Sequence, residues 1–263
     1  MSTEAPVPSD VYESFTGSQI TDDMIQAAAT LFSSHYGTWK GSGKRVRMSP
    51  AKLRAELLPS EHIAQCSYVR AIVDGDYVGH AFACEWLSRG RPILWITQLV
   101  VHAHFRSKGI AKSMLKKLER CHIYGYGIVS SHAHAIMAAT TAFGRGPEGK
   151  PHILPYIREQ HAKVRAQQAL NFIKEHAVTV MKRSPIRYIR EAEVHGTLFE
   201  DAGDNVSTID TKFLVDHAEP EEALRLVKEV GREWHLGSLP EGHEFLVFIM
   251  PRYCRRSVQP ALS

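Results

Sequence analysis

The chain has 263 residues, 44% hydrophobic and 23% charged, which reads as a soluble globular protein with enough length for a sizeable core. Its net charge of +4 suits a polyanionic ligand but does not by itself argue for nucleic acid. No apolar run reaches the length of a membrane span, MSTEAPVPSDVY has no basic-then-apolar leader, and four cysteines without a CxxC pair read as free thiols. A cytoplasmic protein with no membrane and no nucleic-acid partner is expected.

Taken in order, residues 1–12 read as a flexible tail and 13–253 as a single domain. Thr21 before Asp22 and Asp23 predicts a helix N-terminus, with the helix running to about Ser34. The loop HYGTWKGSGKRVRM follows, and Ser49-Pro50 opens a second short helix that Pro59 stops. Two apolar runs around Asp74-Gly75-Asp76 predict a hairpin.

The next stretch, residues 94–118 (LWITQLVVHAHFRSKGIAKSMLKKL), organises the rest. Leu99, Val100 and Val101 are strand-like, while Ile110, Met114, Leu115 and Leu118 keep the spacing of a helix stripe. Small residues at Gly109 and Ala111 sit where strand turns to helix. Free backbone N–H groups and a positive dipole end there suit a phosphate or pyrophosphate, with Arg106 and Lys108 adding charge.

Tyr126 to Ser131 read as a strand, and HAHAIMAATTAFG as a helix ending at Gly144. A Gly/Pro-rich link and a long helical pattern to about Arg183 are read as a helical insertion at about 145–185 within the same domain. Residues 187–191, 194–199 and 206–217 are expected as strand, EPEEALRLVKEVGREW as a helix and EFLVFIM as a buried strand; 254–263 read as a second tail.

VVHAHFRSKGIAKSML resembles the acetyl-CoA-binding motif of the GCN5-related N-acetyltransferases, a strand followed by R/Q-x-x-G-x-G/A opening a helix. Arg106, Gly109 and Ala111 stand at its three key positions, and Ala103 replaces the usual proline. The resemblance implies an α/β fold with a mixed, mostly antiparallel sheet, splayed at its central strands and flanked by helices. It implies acetyl-CoA as cosubstrate, held by Leu99, Val100, Val101, Arg106, Ser107, Lys108, Gly109, Ile110, Ala111 and His132. It also implies an oxyanion donor near Val100 or Val101 and a loop between the first two helices that closes over the acceptor, making His35, Tyr36 and Trp39 acceptor-wall candidates. A tyrosine often protonates the leaving thiolate in that family; Ala139 falls near its position and His132 near that of a CoA-contacting asparagine.

For the chemistry, Glu85 is the one carboxylate in the hairpin's second strand and is expected as base. Gln98 stands where some relatives have a catalytic glutamate, and His132 is a further acid, base or cofactor contact. The H-x-H pairs at His102/His104 and His132/His134 with Cys121 match no zinc spacing, so no metal is expected. The expected activity is acetyl transfer to a primary amine of a small molecule by direct transfer in a ternary complex. A non-catalytic acyl-CoA-binding module and a protein or histone acetyltransferase are the alternatives.

Overall fold

A computed structural model describes residues 10–145, 155–200 and 203–252. The chain opens with β1 (Val11–Thr16), then α1 (Asp22–His35) and α2 (Pro50–Leu57). Thr21 caps α1 by accepting from the Met24 N–H at 3.3 Å, and Ser49 caps α2 by accepting from Lys52 at 3.2 Å, with Pro50 in the first turn.

Three long strands form a meander: β2 (Gln65–Val73), β3 (Asp76–Ser88) and β4 (Arg91–Val101). Asp74 and Gly75 both have positive φ, as do Arg89 and Gly90, so two-residue turns with the twist of the strands close both hairpins. Then come α3 (Ile110–Lys117), β5 (Gly125–Ser130), α4 (Ala133–Phe143) and the two-residue β6 (Gly144–Arg145). The second half adds α5 (Pro155–Lys182), α6 (Arg187–Glu191), β7 (Glu193–His195), β8 (Thr208–Asp210), α7 (Ala218–Glu229) and β9 (His243–Pro251).

The strands order as β1-β2-β3-β4-β5-β9-β8-β7, with β6 pairing β9 off that path. Among the described residues only β4 and β5 pair in parallel. Strand alternation sorts the helices. Tyr126 stacks on Phe143 of α4 at 4.0 Å, whereas Phe248, level with Gly127 and so on the opposite face, stacks on Phe172 of α5 at 5.0 Å. Trp95, level with Gly127 and Cys84, shares the α5 face; the Cys84 thiol donates to the Leu57 carbonyl of α2. Helices α3 and α4 therefore cover one face, and α1, α2 and α5 the other. Gly127 is glycine because a Cβ there would lie 1.9 Å from the fully buried Trp95 ring. Among the described residues no helix is long and apolar enough to cross a membrane.

Several expectations need correction. Strand β1 starts at Val11, inside the expected tail, and pairs along its whole length with β2. Residues 187–191 are helix, and the late strands shrink to Glu193–His195 and Thr208–Asp210. The physical reason for the last is that residues 211–216 leave the sheet to bond the α1–α2 loop: Lys40 N–H donates to the Leu214 carbonyl at 3.0 Å and Asp216 N–H to that of Thr38 at 2.9 Å. The link at 146–154 and the tail at 254–263 lie outside the described residues.

Candidate active site

The sheet opens where its two parallel strands part. Strands β4 and β5 are paired from Ile93 and Gly125 to Ile96 and Ile128 only, although β4 runs on to Val101 and β5 to Ser130. At the same level the β3–β4 ladder slips: Phe82 faces Gln98 and Ala83 faces Ile96, leaving Thr97 as the extra residue of a bulge. Thr97 is 8% exposed, and its hydroxyl has no hydrogen-bond partner among the described residues. An orphaned buried hydroxyl costs about 1–3 kcal/mol, a cost that a ligand in the opening would offset. The Thr97 carbonyl accepts from the Tyr188 hydroxyl of α6 at 3.2 Å.

Beyond Val101 a short 3-10 turn (Ala103–Phe105) leads into the α3 N-terminus. Ser107 and Gly109 both have positive φ, 61° and 85°, the left-handed backbone of a tight turn. The first intrahelical bond runs from the Ser113 N–H to the Gly109 carbonyl, so the N–H groups of residues 109–112 have no intrahelical acceptor. A Cβ built on Gly109 meets nothing within 4 Å, so the backbone there is open to approach. Residues 107–111 form this turn, and its unbonded N–H groups fit a pyrophosphate. Ile110 is buried and contributes its backbone. Leu99, Val100 and Val101 lie on the part of β4 beyond the splay, with the Val100 side chain packed among Leu31, Phe32, Val46 and Val215.

Arg106 requires a correction. Its guanidinium donates to the carbonyls of His35 and of Val101 (3.3 Å) and pairs with Glu219 of α7. It ties α1, β4 and α7 together. His132 caps α4, accepting from the His134 N–H at 3.3 Å. Burial, with His134 and Arg106 nearby, pulls its pKa down to about 4. A neutral imidazole so weakly basic suits a cofactor wall better than a catalytic base. Ala139 is fully buried, so its helix position sends nothing into the splay.

Glu85 is also corrected. It pairs with Arg120 and lies 2.8 Å from the His122 ring. In the ladder it stands opposite Leu94, which at ~3.3 Å per residue is roughly 17 Å or more from Leu99 and Val101. The antiparallel hairpin is the cause: the cofactor end of β4 lies beside the start of β3, where Gly79 faces Val101. Gln98 is buried but spent. Its Oε1 lies 2.7 Å from His80 Nε2, His80 Nδ1 lies 2.7 Å from the Tyr77 hydroxyl, and Tyr68 donates to Tyr77 at 3.1 Å. Burial lowers His80 to about 4, so this row is a neutral polar strut.

The carboxylate that sequence reasoning missed is Glu244, second residue of β9 and on the α1/α2/α5 face by its alternation with Leu246 and Phe248. It is 9% exposed, and burial raises its pKa to about 7, partly offset by the Thr211 hydroxyl. Its charge in turn helps to raise the Tyr36 and Tyr188 hydroxyls, whose main cause is burial. Glu244, Tyr36 and Tyr188 are therefore close enough for their charges to interact. Tyr36 stacks on Phe32 at 4.3 Å, and Trp39 meets Phe213 edge-on at 5.0 Å. His35 turns away to the cofactor turn, 3.9 Å from the His102 ring. An acid heading an otherwise apolar strand, as in EFLVFIM, was the available signal for Glu244.

The model of the acetyltransferase (GNAT) family matches residues 32–129, from within α1 to the end of β5. A comparison with curated proteins finds no match. Among solved structures, the chain is similar to the ribosomal-protein-S18-alanine N-acetyltransferase from Escherichia coli (12% identity, 51% of this chain and 76% of that one, TM-score 0.35). It is also similar to an aminoglycoside acetyltransferase from an uncultured soil metagenomic sample in complex with sisomicin (12% identity, 55% and 94%, TM-score 0.37). A GCN5-related glucosamine N-acetyltransferase region of a fungal multi-domain beta-N-acetylglucosaminidase matches 93% of this chain and 38% of that one (10% identity, TM-score 0.42). At these identities the likeness assigns no substrate.

Proposed function

We propose, supported by the match of residues 32–129 to the acetyltransferase (GNAT) family model, that the chain transfers an acetyl group from acetyl-CoA to the primary amine of a small molecule, directly and in a ternary complex. The observation that carries this reading is the parting of β4 from β5 after Ile96 and Ile128, beside the left-handed turn at 107–109. Acetyl-CoA supplies an activated thioester. The N–H groups of residues 109–112 with Lys108 suit its pyrophosphate, and the Thr97 hydroxyl suits a polar group lying in the splay.

An amine arrives as an ammonium and must lose a proton before it can attack. Glu244 is the carboxylate with burial and basicity matched to that task near neutral pH. Tyr188, held protonated by burial beside the Thr97 carbonyl, keeps a proton at the bulge and takes the place of the tyrosine absent at Ala139. Tyr36 and Trp39 form the acceptor wall. Trp39 bridges to Val215, and the loop's bonds to Leu214 and Asp216 pin it in place. A pinned loop favours a small acceptor over an extended peptide, which needs an open groove.

Incubating the purified chain with acetyl-CoA and a panel of primary amines, with thiol detection, tests the proposal. Thiol release that depends on one class of small amine is the expected result. Acetyl-CoA binding without release on any amine would favour a non-catalytic module, and release on basic peptides alone would favour a protein acceptor.

A further inference from the structure

On the far edge of the sheet, we propose that His195, Asp210 and His243 form a binding site for a divalent transition ion of the zinc type. Strand register brings them together: Asp210 faces His243 directly, and His195 faces Thr208, two residues from Asp210 on the same strand. Alternation therefore projects all three from one face of β7-β8-β9. One ligand atom from each lies within 4.8 Å of the other two, and all three residues are half-buried. A zinc ion bonded at ~2.0–2.2 Å holds its ligand atoms roughly 3.5 Å apart, so modest side-chain rotation closes the set.

The surrounding bonds select what the three residues have left to offer. His243 Nδ1 lies 2.9 Å from the Glu241 carbonyl oxygen, and His195 Nδ1 lies 2.7 Å from a Glu200 carboxylate oxygen. Both partners only accept, so in each neutral ring Nδ1 carries the proton and Nε2 offers the lone pair. The Lys212 N–H occupies one Asp210 oxygen at 2.8 Å, and the other has no hydrogen-bond partner among the described residues. With Nδ1 protonated, each ring offers an acceptor nitrogen beside the Asp210 carboxylate, an arrangement that a cation satisfies. Outer partners that orient each ligand are also the usual setting of a protein zinc site. Two nitrogens and one oxygen suit zinc better than calcium or magnesium, and a water would complete the tetrahedron. Such an ion would clamp β7 and β8 to the start of β9. Glu244 follows His243 there and points to the opposite face, so the clamp would also fix the strand segment that carries Glu244.

The site is independent of the H-x-H pairs in the sequence. His102 and His104 lie at the cofactor turn and His132 and His134 at the head of α4, and neither pair joins Cys121 in a metal-ligating group among the described residues. Isothermal titration of the chelator-stripped full chain with zinc chloride tests the proposal, with cobalt absorption as a geometric readout. The expected result is one zinc per chain and visible bands of tetrahedral cobalt. Affinity should fall by more than ~10-fold in both His243→Gln and Asp210→Asn, with circular dichroism unchanged, and should persist in His104→Gln. Should His243→Gln fail to fold, His195→Gln takes its place. Absence of stoichiometric zinc binding, binding kept in the edge-strand variants, or binding lost in His104→Gln would each overturn the proposal.

Discussion

Replacing Glu244 with glutamine removes one buried carboxyl while keeping its shape. Burial holds this group's pKa at about 7, against an ordinary 4.5. Between those values the folded chain binds more protons than the unfolded one. Stability from this group is therefore full below about pH 4.5, declines as pH rises, and is fully lost once pH passes about 7. At ~1.4 kcal/mol for each tenfold change in proton concentration, the gap amounts to about 3 kcal/mol. Glutamine cannot ionise, so the variant should match the parent chain near about pH 4 and exceed it by about 3 kcal/mol near about pH 8. Urea denaturation followed by tryptophan fluorescence at several pH values measures this difference. A difference that stays constant with pH, or grows toward acid, would refute the reasoning, because Glu244 would then be ionised at little cost in the native state. The same variant should lose the acid limb of kcat/KM near about pH 7, and its plateau should fall by ~10²–10⁴-fold.

Three further outcomes are expected. Gly127→Ala forces the Trp95 ring aside and should cost ~1–3 kcal/mol, a fall of several degrees in Tm by scanning fluorimetry. Glu85→Gln should weaken the tie to Arg120 and His122 by ~1–2 kcal/mol in denaturant unfolding and leave the pH–rate profile unchanged; loss of the acid limb in this variant would restore Glu85 as base. Tyr188→Phe removes the bond to the Thr97 carbonyl and should lower kcat while leaving acetyl-CoA affinity in calorimetry within a few-fold of the parent.

Legibility in the sequence followed locality. The caps at Thr21 and Ser49, the turn at Asp74-Gly75 and the strand–turn–helix of residues 94–118 are written in neighbouring residues, and all appear in the fold. Glu85 was misplaced because its strand was read without its partner's direction. Once the hairpin is drawn, the end of β3 lies at the wrong end of β4. The five residues of α6 are too few to display a helical period. Strand β1 earns its place only by pairing with β2. Glu244 and Tyr188 come from the second half of the chain, and His195, Asp210 and His243 meet only through strand register. Arg106 matched its motif, yet Glu219 and the carbonyls of His35 and Val101 hold its guanidinium, and no local pattern announces those partners.

The central claim is that the turn after β4 and the splay beside it hold acetyl-CoA. Calorimetric titration of acetyl-CoA into the parent chain and Gly109→Val tests it most directly. The Gly109 φ of 85° strains a β-branched side chain by ~1–2 kcal/mol, and that side chain would stand over the exposed N–H groups. One acetyl-CoA per parent chain, with affinity lower by at least ~10-fold in a folded Gly109→Val, is the predicted result. No binding to the parent chain, or equal binding to both, would contradict the account.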